Sequence, residues 1–364
     1  MPIIDRYIIK KYFGTLGFML GLLSIVVLVI DVQAKVPRIE SNGFEVSYFL
    51  INYYPFWIIY LIVTFLSILV FISVIFFTSR MANNTEIVAI ISSGASFHRF
   101  ARPYLLTSLT IALFSLLVNH FVLPWSNAKK NVLEPYTYGS ANREKFLGIA
   151  PMSVQVSANE YIFLASYDKK NKRGSGLSYQ KFDKNKRMIY QLKAAEIIWD
   201  EQKKVFTLND FLEKTVLPND SEGLNNGDVM QKSFGHSPAE LFPDELSGQT
   251  KMTPDLLNFI NREREKGNSN LNTYLNDLYS RTSMPVAIVI LTFLALSLSS
   301  QKKRGGLGVN LAIGIALAFA FVFSFEALKV VSANKTLPPL LAMWLPNIIF
   351  GIIAAYLYIK RANQ

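Results

Sequence analysis

The sequence contains no cysteine, so a disulfide framework, a thiol nucleophile and thiolate metal sites are all excluded. Its three histidines, His98, His120 and His236, lie far apart in the chain and form no His-Glu-x-x-His or similar metal-binding pattern. The glycine-rich run at 174–176 lacks the Lys-Ser/Thr partner of a phosphate-binding loop, and no Walker A pattern occurs. The sequence therefore indicates neither a catalytic constellation nor a Walker-type ATPase within this chain.

Hydrophobic residues make up 51% of the 364 residues, and they fall in runs too long for buried strands or ordinary helices. A helix needs about 20 apolar residues to cross a hydrocarbon core of about 30 Å. The first run is interpreted as a retained span, because its apolar stretch is too long for a signal peptide and no small-x-small cleavage site closes it. The pattern excludes a purely soluble protein. Six spans are predicted in two groups of three, at about 12–34, 54–79, 103–124, 282–300, 306–331 and 340–359.

The formal net charge is +11, and the position of this charge distinguishes a nucleic-acid partner from a membrane. One set of short flanks collects Arg6, Lys10, Lys11, Arg80, Arg99, Arg102, Lys302, Lys303, Arg304, Lys360 and Arg361. The opposite flanks hold Lys35, Arg38, Arg281, Lys329 and Lys335. Because Lys and Arg gather on the cytoplasmic side of membrane proteins, both termini are predicted to be cytoplasmic and residues 125–280 to lie in a periplasm-like space. No nucleic-acid partner is expected.

The long polar stretch 125–280 is predicted to be a β domain. It contains several short predicted strands separated by turn-rich clusters. A series of this kind favours an antiparallel sandwich or open roll. A basic cluster at 169–173 is either a phosphate site or a solvated hairpin tip, and the hairpin is favoured. Helices are expected from Thr253 to about Lys266 and from about 269 into the fourth span. The predicted strands are at about 152–157, 160–167, 176–182, 187–199 and 204–208.

A short amphipathic helix is predicted at about 84–95, between spans two and three. An acid in its first turn is favoured by the helix dipole, and a glycine commonly follows the last turn. From the residues alone, two interpretations stay open: the acid caps the helix while the apolar face rests on the membrane surface, or the helix docks in a cleft of a cytoplasmic partner. The residues concerned are Glu86 in the first turn, Ile87, Ile90 and Ile91 on the apolar face, and Gly94 at the end.

Charged residues inside a span need an explanation, because each costs about 2.5–3.5 kcal/mol at the helix centre. Glu326 and Lys329 in span five are three residues apart and are predicted to pair on one helix face. Asp31 and Lys35 are four apart where span one leaves the membrane. Each pair either neutralises itself and snorkels to the interface or faces a polar path. Asn119, Asn310 and Asn347 are predicted to donate interhelical hydrogen bonds.

The order of several motifs resembles one known family, the LptF/LptG permeases, over essentially the whole chain. No single motif decides this, but their order, the three-plus-three spans and the inserted β domain make the resemblance specific. The motifs are Ile4-Asp5-Arg6-Tyr7-Ile8; a slightly altered Glu-x-x-Ala/Val-Leu/Ile-x-x-x-Gly segment from Glu86 to Gly94; Pro103 and Asn119 to Pro124 around span three; Arg281-Thr282-Ser283-Met284-Pro285; Gly305-Gly306; and Leu337-Pro338-Pro339 to Trp344-Leu345-Pro346-Asn347.

The resemblance implies a transmembrane subunit of the ABC exporter that extracts lipopolysaccharide from the inner membrane of Gram-negative bacteria. In that family two related permeases pair around a central cavity, an LptB ATPase dimer binds ATP and Mg²⁺ and powers them from the cytoplasm, and LptC joins in the membrane and periplasm. The expected fold is a polytopic α-helical membrane protein with six transmembrane helices and an inserted periplasmic β-jellyroll-like domain. The expected divisions are 1–124, 125–280 and 281–364, with no cofactor in the chain itself.

The resemblance also implies roles for individual segments. The family's coupling helix matches Glu86 to Gly94, which favours an ATPase contact that can coexist with the capping role. Spans one and five form lateral gates in the family. Lys35 and Arg38 at the outer end of span one then either meet the lipid's phosphates or act as interfacial anchors. Two other functions stay open: a permease or mechanotransmitter of another ABC system, for example of lipoproteins, and a membrane-embedded lipid-modifying enzyme. The enzyme requires clustered acids or histidines at one membrane depth, which the sequence lacks.

Overall fold

A computed structural model of the chain describes residues 3–139, 151–169, 171–216, 221–242, 246–267, 271–301 and 306–363. Within these residues, six helices are long and apolar enough to cross a membrane, three before and three after a β domain. The predicted fold class is confirmed at this level. In chain order the helices are α1 (Ile3–Ser41), α2 (Val46–Asn52), α3 (Tyr54–Asn83), α4 (Glu86–Ser92), α5 (Phe97–Leu117), α6 (Leu123–Leu133), α7 (Pro238–Leu241), α8 (Ser247–Thr250), α9 (Thr253–Lys266), α10 (Leu271–Ser299), α11 (Gly306–Ala333) and α12 (Pro339–Ala362).

Span four, within α10, lies at the centre of the bundle and packs against α3, α5 and α12. Its inward face is built from small and branched side chains, among them Ala287, Ile288 and Leu291, all fully or almost fully buried. Small residues allow neighbouring helices to approach closely, which is how helices pack in lipid. The outer helix α1 joins this core through Tyr12, whose hydroxyl shares a 2.9 Å hydrogen bond with Thr292.

The third span is longer than its apolar run, because helical structure continues from Phe97 to Thr137 through a π-helical turn at Val118–Val122. Pro124 follows this turn; it has no N–H to donate and crowds the carbonyl four residues earlier, which accounts for the irregular turn. Asn119 donates to the Ser115 carbonyl at 2.8 Å, so it bonds within its own helix rather than between helices as predicted.

The two predicted domain boundaries, 124/125 and 280/281, both fall inside continuous helices. Hydropathy marks where a helix leaves hydrocarbon, not where the helix ends. The helices therefore extend past the apolar runs on the side of the bundle that carries the β domain, which we call the domain end. The opposite side, with both termini and α4, is the terminal end.

The β domain is a single seven-stranded antiparallel sheet. Each strand pairs with the next one in sequence, except that β2 pairs with β4, and the short β3 also pairs with β4. The described strands therefore follow one another as a meander. All five predicted strands are present, but the second half of β6 was missed, and β7 was missed because it is polar and lies at an exposed edge. The strands are β1 (Met152–Ser157), β2 (Glu160–Leu164), β3 (Ser166–Asp168), β4 (Arg173–Phe182), β5 (Met188–Asp200), β6 (Val205–Val216) and β7 (Glu222–Lys232).

One row across the sheet interrupts the regular alternation of inward and outward side chains. In β5 the inward residues Ala194 and Ile197 are three apart instead of two. The neighbouring strands adopt left-handed backbone at the same row, at Gly176 with φ +63° and Asp210 with φ +52°. Such irregularities bend and twist a strand locally. Phe234 and Phe242 belong to the buried cluster that forms the core of this domain.

The basic cluster at 169–173 forms the tip of the β3–β4 hairpin, in agreement with the favoured prediction. Lys172 pairs with Glu201, and Arg173 pairs with Glu196 at 2.9 Å. These partners come from the adjoining strand β5 and the turn that follows it. Lys170 of this cluster, and Lys302, Lys303, Arg304 and Gly305 of the predicted cytoplasmic flank and motif, lie outside the described residues.

We predict that Gly174→Ala weakens the β domain. A Cβ at Gly174 meets Ile197 Cγ2 at 2.9 Å and the Ser166 carbonyl oxygen at 3.0 Å, and the carbonyl belongs to backbone that cannot easily move. The expected cost is about 1–3 kcal/mol, seen as faster hydrogen exchange of the β4 and β5 amides in the intact chain. The matched control is Gly223→Ala, whose Cβ meets its first neighbour at 3.8 Å. Equal exchange in the two variants contradicts the prediction.

Candidate functional site

The loop between spans two and three is shaped by two left-handed residues. Thr85 has φ +61°, which turns the chain sharply after α3, and α4 then runs for seven residues. Gly94, with φ +91°, follows the helix, and a side chain there is strained in this conformation. The predicted helix is confirmed within these shorter limits.

The apolar face of α4 packs inward, against the protein itself. Ile87 is 1% exposed and belongs to the same buried cluster as Met81 and Phe97, and Ile90 and Ile91 pack against this cluster. Ile87 therefore anchors α4, while Ile90 and Ile91 are partly buried beside it. The outward face was missed by the sequence analysis: it consists of Val88, which is 59% exposed, with Ala89 and Ser92.

Glu86 is held by side chains from the start of α1. Its carboxylate accepts a hydrogen bond from Tyr7 Oη at 2.8 Å and from Lys11 Nζ at 3.0 Å, and a third from Asn84 Nδ2 at 3.2 Å. Partial burial disfavours the charged carboxylate, but the hydrogen bonds from Tyr7 and Lys11 outweigh it, so the pKa of Glu86 is lowered. Glu86 is therefore ionised near neutral pH and tied to another helix.

A second ion pair joins α1 to the chain just after this loop. Arg99, in the first turn of α5, donates two hydrogen bonds to the Asp5 carboxylate, at 2.7 and 3.0 Å. Asp5 is only 5% exposed. In the sequence, Lys11 and Arg99 indicate only orientation, because nothing in their spacing shows that they meet acids 75 and 94 positions away in the chain.

At the domain end, the two proposed headgroup residues differ. Lys35 forms the predicted ion pair with Asp31 at 3.0 Å and lies over the rings of Tyr53 and Trp57, so it is already surrounded by protein. Arg38 is exposed, and among the described residues its one side-chain hydrogen bond, to the Thr137 carbonyl, is long at 3.5 Å. Of the two residues, Arg38 has the more exposed cation.

The predicted Glu326–Lys329 pair is wrong. Lys329 instead lies 3.8 Å from the Asp277 carboxylate of α10, whereas Glu326 is exposed and has no ion pair among the described residues. The physical reason is burial: Asp277 is 6% exposed, so it needs a positive partner far more than Glu326 does. Hydrogen bonds of 2.8–3.1 Å from Asn272 and Asn276 to carbonyls of α11 hold the two helices together at this point.

Arg281, also on α10, ties the spans to the base of the β domain. Its guanidinium is 4% exposed and donates to the carbonyls of Gly248 and Lys251 at 2.9 and 2.7 Å and to Thr253 Oγ1 at 2.7 Å. His120, from the π-helical turn, reaches the same threonine hydroxyl at 2.8 Å. The helix α10, the 248–253 segment and the π-helical turn therefore meet at the buried Arg281 and its partner Thr253.

An apolar cavity of about 550 Å³ opens between α1, α3 and α5. Its walls include Phe13, Gly17, Ile62 and Phe114, and its hydroxyl groups already have partners: Thr110 donates to its own helix and Ser115 accepts from Asn119. Such a cavity suits hydrocarbon and offers no catalytic group. Among the described residues, no group of three or more His, Cys, Asp and Glu is placed to hold a metal ion.

A family model described as lipopolysaccharide export system permease LptF/LptG matches residues 6–360, nearly the whole chain. The chain belongs to the LptF/LptG family. A search of curated proteins found no match. Membership in this permease family, together with six apolar helices, makes the chain a multi-pass inner-membrane transport protein and not an enzyme.

Several of the LptF/LptG motif residues have identifiable structural tasks. Asn347 donates to the Ser283 carbonyl at 2.7 Å and so joins α12 to α10, as predicted for this asparagine. Asn310 likewise donates to Ser79 Oγ at 3.1 Å between α11 and α3. Within the Arg281-to-Pro285 motif, Met284 offers its carbonyl to Ser67 of α3 at 3.1 Å. These motifs therefore hold the bundle together rather than perform chemistry.

We predict that Lys329→Met destabilises the protein. It removes the cation nearest to the buried Asp277, which costs about 1–3 kcal/mol and lowers the thermal unfolding midpoint in detergent. Glu326→Gln is the matched control on the same helix and leaves the midpoint nearly unchanged, because Glu326 is exposed. A larger loss in Glu326→Gln than in Lys329→Met contradicts the assignment of the Asp277 partner.

Proposed function

We propose that this chain is a transmembrane permease subunit of an ATP-driven exporter, which extracts lipopolysaccharide from the inner membrane and passes it to a periplasmic bridge toward the outer membrane. The family match over residues 6–360 carries the proposal. The chain has no Walker A pattern, so we assign ATP and Mg²⁺ to a separate LptB-like ATPase dimer.

The exposure of the spans supports pairing with a second LptF/LptG-type permease. The apolar windows of spans one and five are only 6% and 22% buried, against 56% for span four. Exposed aromatic side chains such as Phe18 on α1 and Phe319 on α11 lie along these two spans. We assign the two spans to the junctions between the paired permeases, where lipopolysaccharide enters, with an LptC-like protein joining in the membrane.

The charge distribution supports the orientation. Basic residues such as Lys10, Arg80 and Lys360 lie at the terminal end of the bundle, which we therefore assign to the cytoplasm. The β domain then lies in the periplasm, where it receives the lipid. In this orientation α4 faces the cytoplasm, and we propose that its outward residues Val88, Ala89 and Ser92 contact the ATPase.

The energy requirement fits this assembly. Removing one acyl chain of about a dozen carbons from a bilayer costs about 10 kcal/mol, at about 0.8 kcal/mol per CH₂. A lipid with several chains therefore does not leave unaided. A separate ATPase provides the energy, and an apolar cavity between the paired permeases shelters the acyl chains. The periplasmic β domain then receives the lipid.

The ATPase contact is tested with Val88→Asp. Its carboxylate is placed on the outward face of α4, and desolvating it against a partner is unfavourable, so we expect loss of ATPase co-purification and of lipopolysaccharide release. Val229→Asp is the matched control: Val229 is 62% exposed, against 59% for Val88, but lies on β7. The control retains the ATPase.

Normal ATPase association and transport in Val88→Asp overturn the contact. Failure of any nucleotide-binding subunit to co-purify with the unaltered chain overturns the exporter itself. Transport of another lipid, with no response to lipopolysaccharide, favours a permease of a different ABC system.

The headgroup contact is tested with Arg38→Ala. Arg38 is exposed at the outer end of span one, so its loss is expected to reduce lipopolysaccharide-stimulated ATPase activity and photocrosslinking of the lipid to α1. Lys129→Ala removes an exposed cation from α6 at the same end of the bundle and serves as the control. Equal behaviour of both variants and the unaltered complex makes Arg38 an interfacial anchor only.

A further inference from the structure

The first turns of α1 hold the loop that contains α4 from both sides. At the first residue of α4, Tyr7 and Lys11 bind Glu86 at 2.8 and 3.0 Å. On the side after it, Asp5 binds Arg99 through two hydrogen bonds of 2.7 and 3.0 Å. Two independent ties therefore connect one helix to the two ends of one short segment.

The geometry of these ties restricts rotation as well as distance. A guanidinium that meets a carboxylate through two parallel hydrogen bonds fixes the relative orientation of the two groups. Lys11 Nζ lies 4.3 Å from the centre of the Tyr7 ring, so the two residues that hold Glu86 also support each other. Asp5 is almost fully buried, whereas the Arg99 side chain is 35% exposed, so the pair is shielded from water on the Asp5 side only.

The most apolar window of α1 is lightly packed against the rest of the bundle. Only 6% of its most apolar window is buried, against 44% in α3, the next span. The Tyr12–Thr292 hydrogen bond lies one residue beyond Lys11, at the same end. A displacement of the α4 loop therefore reaches α1 through these polar contacts, and little packing opposes it along the apolar window of α1.

We propose that Asp5, Tyr7, Lys11 and Arg99 are positioning residues that make α1 and the α4 loop move as one body, so that a push on α4 by the ATPase displaces span one. This rests on the proposed function, because it takes α4 as the surface the ATPase moves. In this proposal, movement of α4 is transmitted to α1 at the Glu86 and Arg99 ties, in addition to α3 and α5, which flank the α4 loop in the chain.

The first test reverses and then exchanges the charges of the Asp5–Arg99 tie in the assembled complex. In Asp5→Arg and in Arg99→Asp, lipopolysaccharide released per ATP hydrolysed is expected to fall by about five-fold or more, the lower range of coupling between sites. The double variant Asp5→Arg/Arg99→Asp restores most of the loss. Release per ATP that stays normal in both single variants overturns the proposal.

The second test separates coupling from mere stability. The chain has no native cysteine, so Asp5→Cys/Arg99→Cys carries the only two thiols of this subunit. Before crosslinking, release per ATP is low; a short bis-maleimide crosslink restores it, because the tie only has to keep α1 and the loop together. The other subunits are used without reactive thiols, and complex assembly and the thermal midpoint are measured in parallel.

The outcomes are distinct from those that test the ATPase contact. A crosslink that blocks transport means that the tie must open during the cycle, which overturns movement as one body. A different result is a lower thermal unfolding midpoint and impaired complex assembly together with the loss of transport, with no recovery on crosslinking. That result assigns the tie to folding and also overturns the proposal. Val88→Asp leaves the Asp5–Arg99 tie intact but is expected to lose ATPase binding. The Asp5 variants are expected to keep the ATPase bound and to release less lipopolysaccharide per ATP hydrolysed.

Discussion

Polar groups in hydrocarbon have no water to bond, and this constraint governs the whole bundle. Helices satisfy their backbones internally, and several polar side chains find partners in neighbouring spans. Asn347 bonds a carbonyl of α10, Asn310 bonds Ser79, and Tyr12 shares a hydrogen bond with Thr292. Each bond joins two spans that are distant in sequence, so the polar residues determine which spans become neighbours.

The same constraint explains how charge is distributed between the two ends. At the domain end, buried Asp277 draws Lys329, and buried Arg281 gathers the carbonyls of the segment that returns from the β domain. At the terminal end, Asp5 and Glu86 draw Arg99, Tyr7 and Lys11. The polar ties therefore concentrate at the two ends of the bundle, and the middle of α1 is left lightly packed. This arrangement is compatible with the movement of span one that we propose.

Features that repeat along the sequence were predicted well, and pairings between distant residues were not. The six spans follow from apolar runs, and β1 to β5 follow from alternation of apolar and polar residues. β7 has the polar composition of an exposed edge, and its place in the sheet comes from pairing with β6. The isoleucines of α4 were recognised as one face, but hydropathy alone does not distinguish a face that meets a partner from one that packs on its own protein. Burial of Ile87 decides for the second.

The sequence by itself determined the six spans, the inserted β domain and the family, because each depends on composition and order along the chain. The tertiary structure alone decided which charges meet. Glu326 and Lys329 are close on one helix, yet Lys329 faces Asp277, since a buried carboxylate has more to gain from a cation than an exposed one. Glu86 and Lys11, far apart in the sequence, meet because the packing of α1 against the bundle brings them together. Electrostatic partners depend on burial, and burial exists only once the helices have packed.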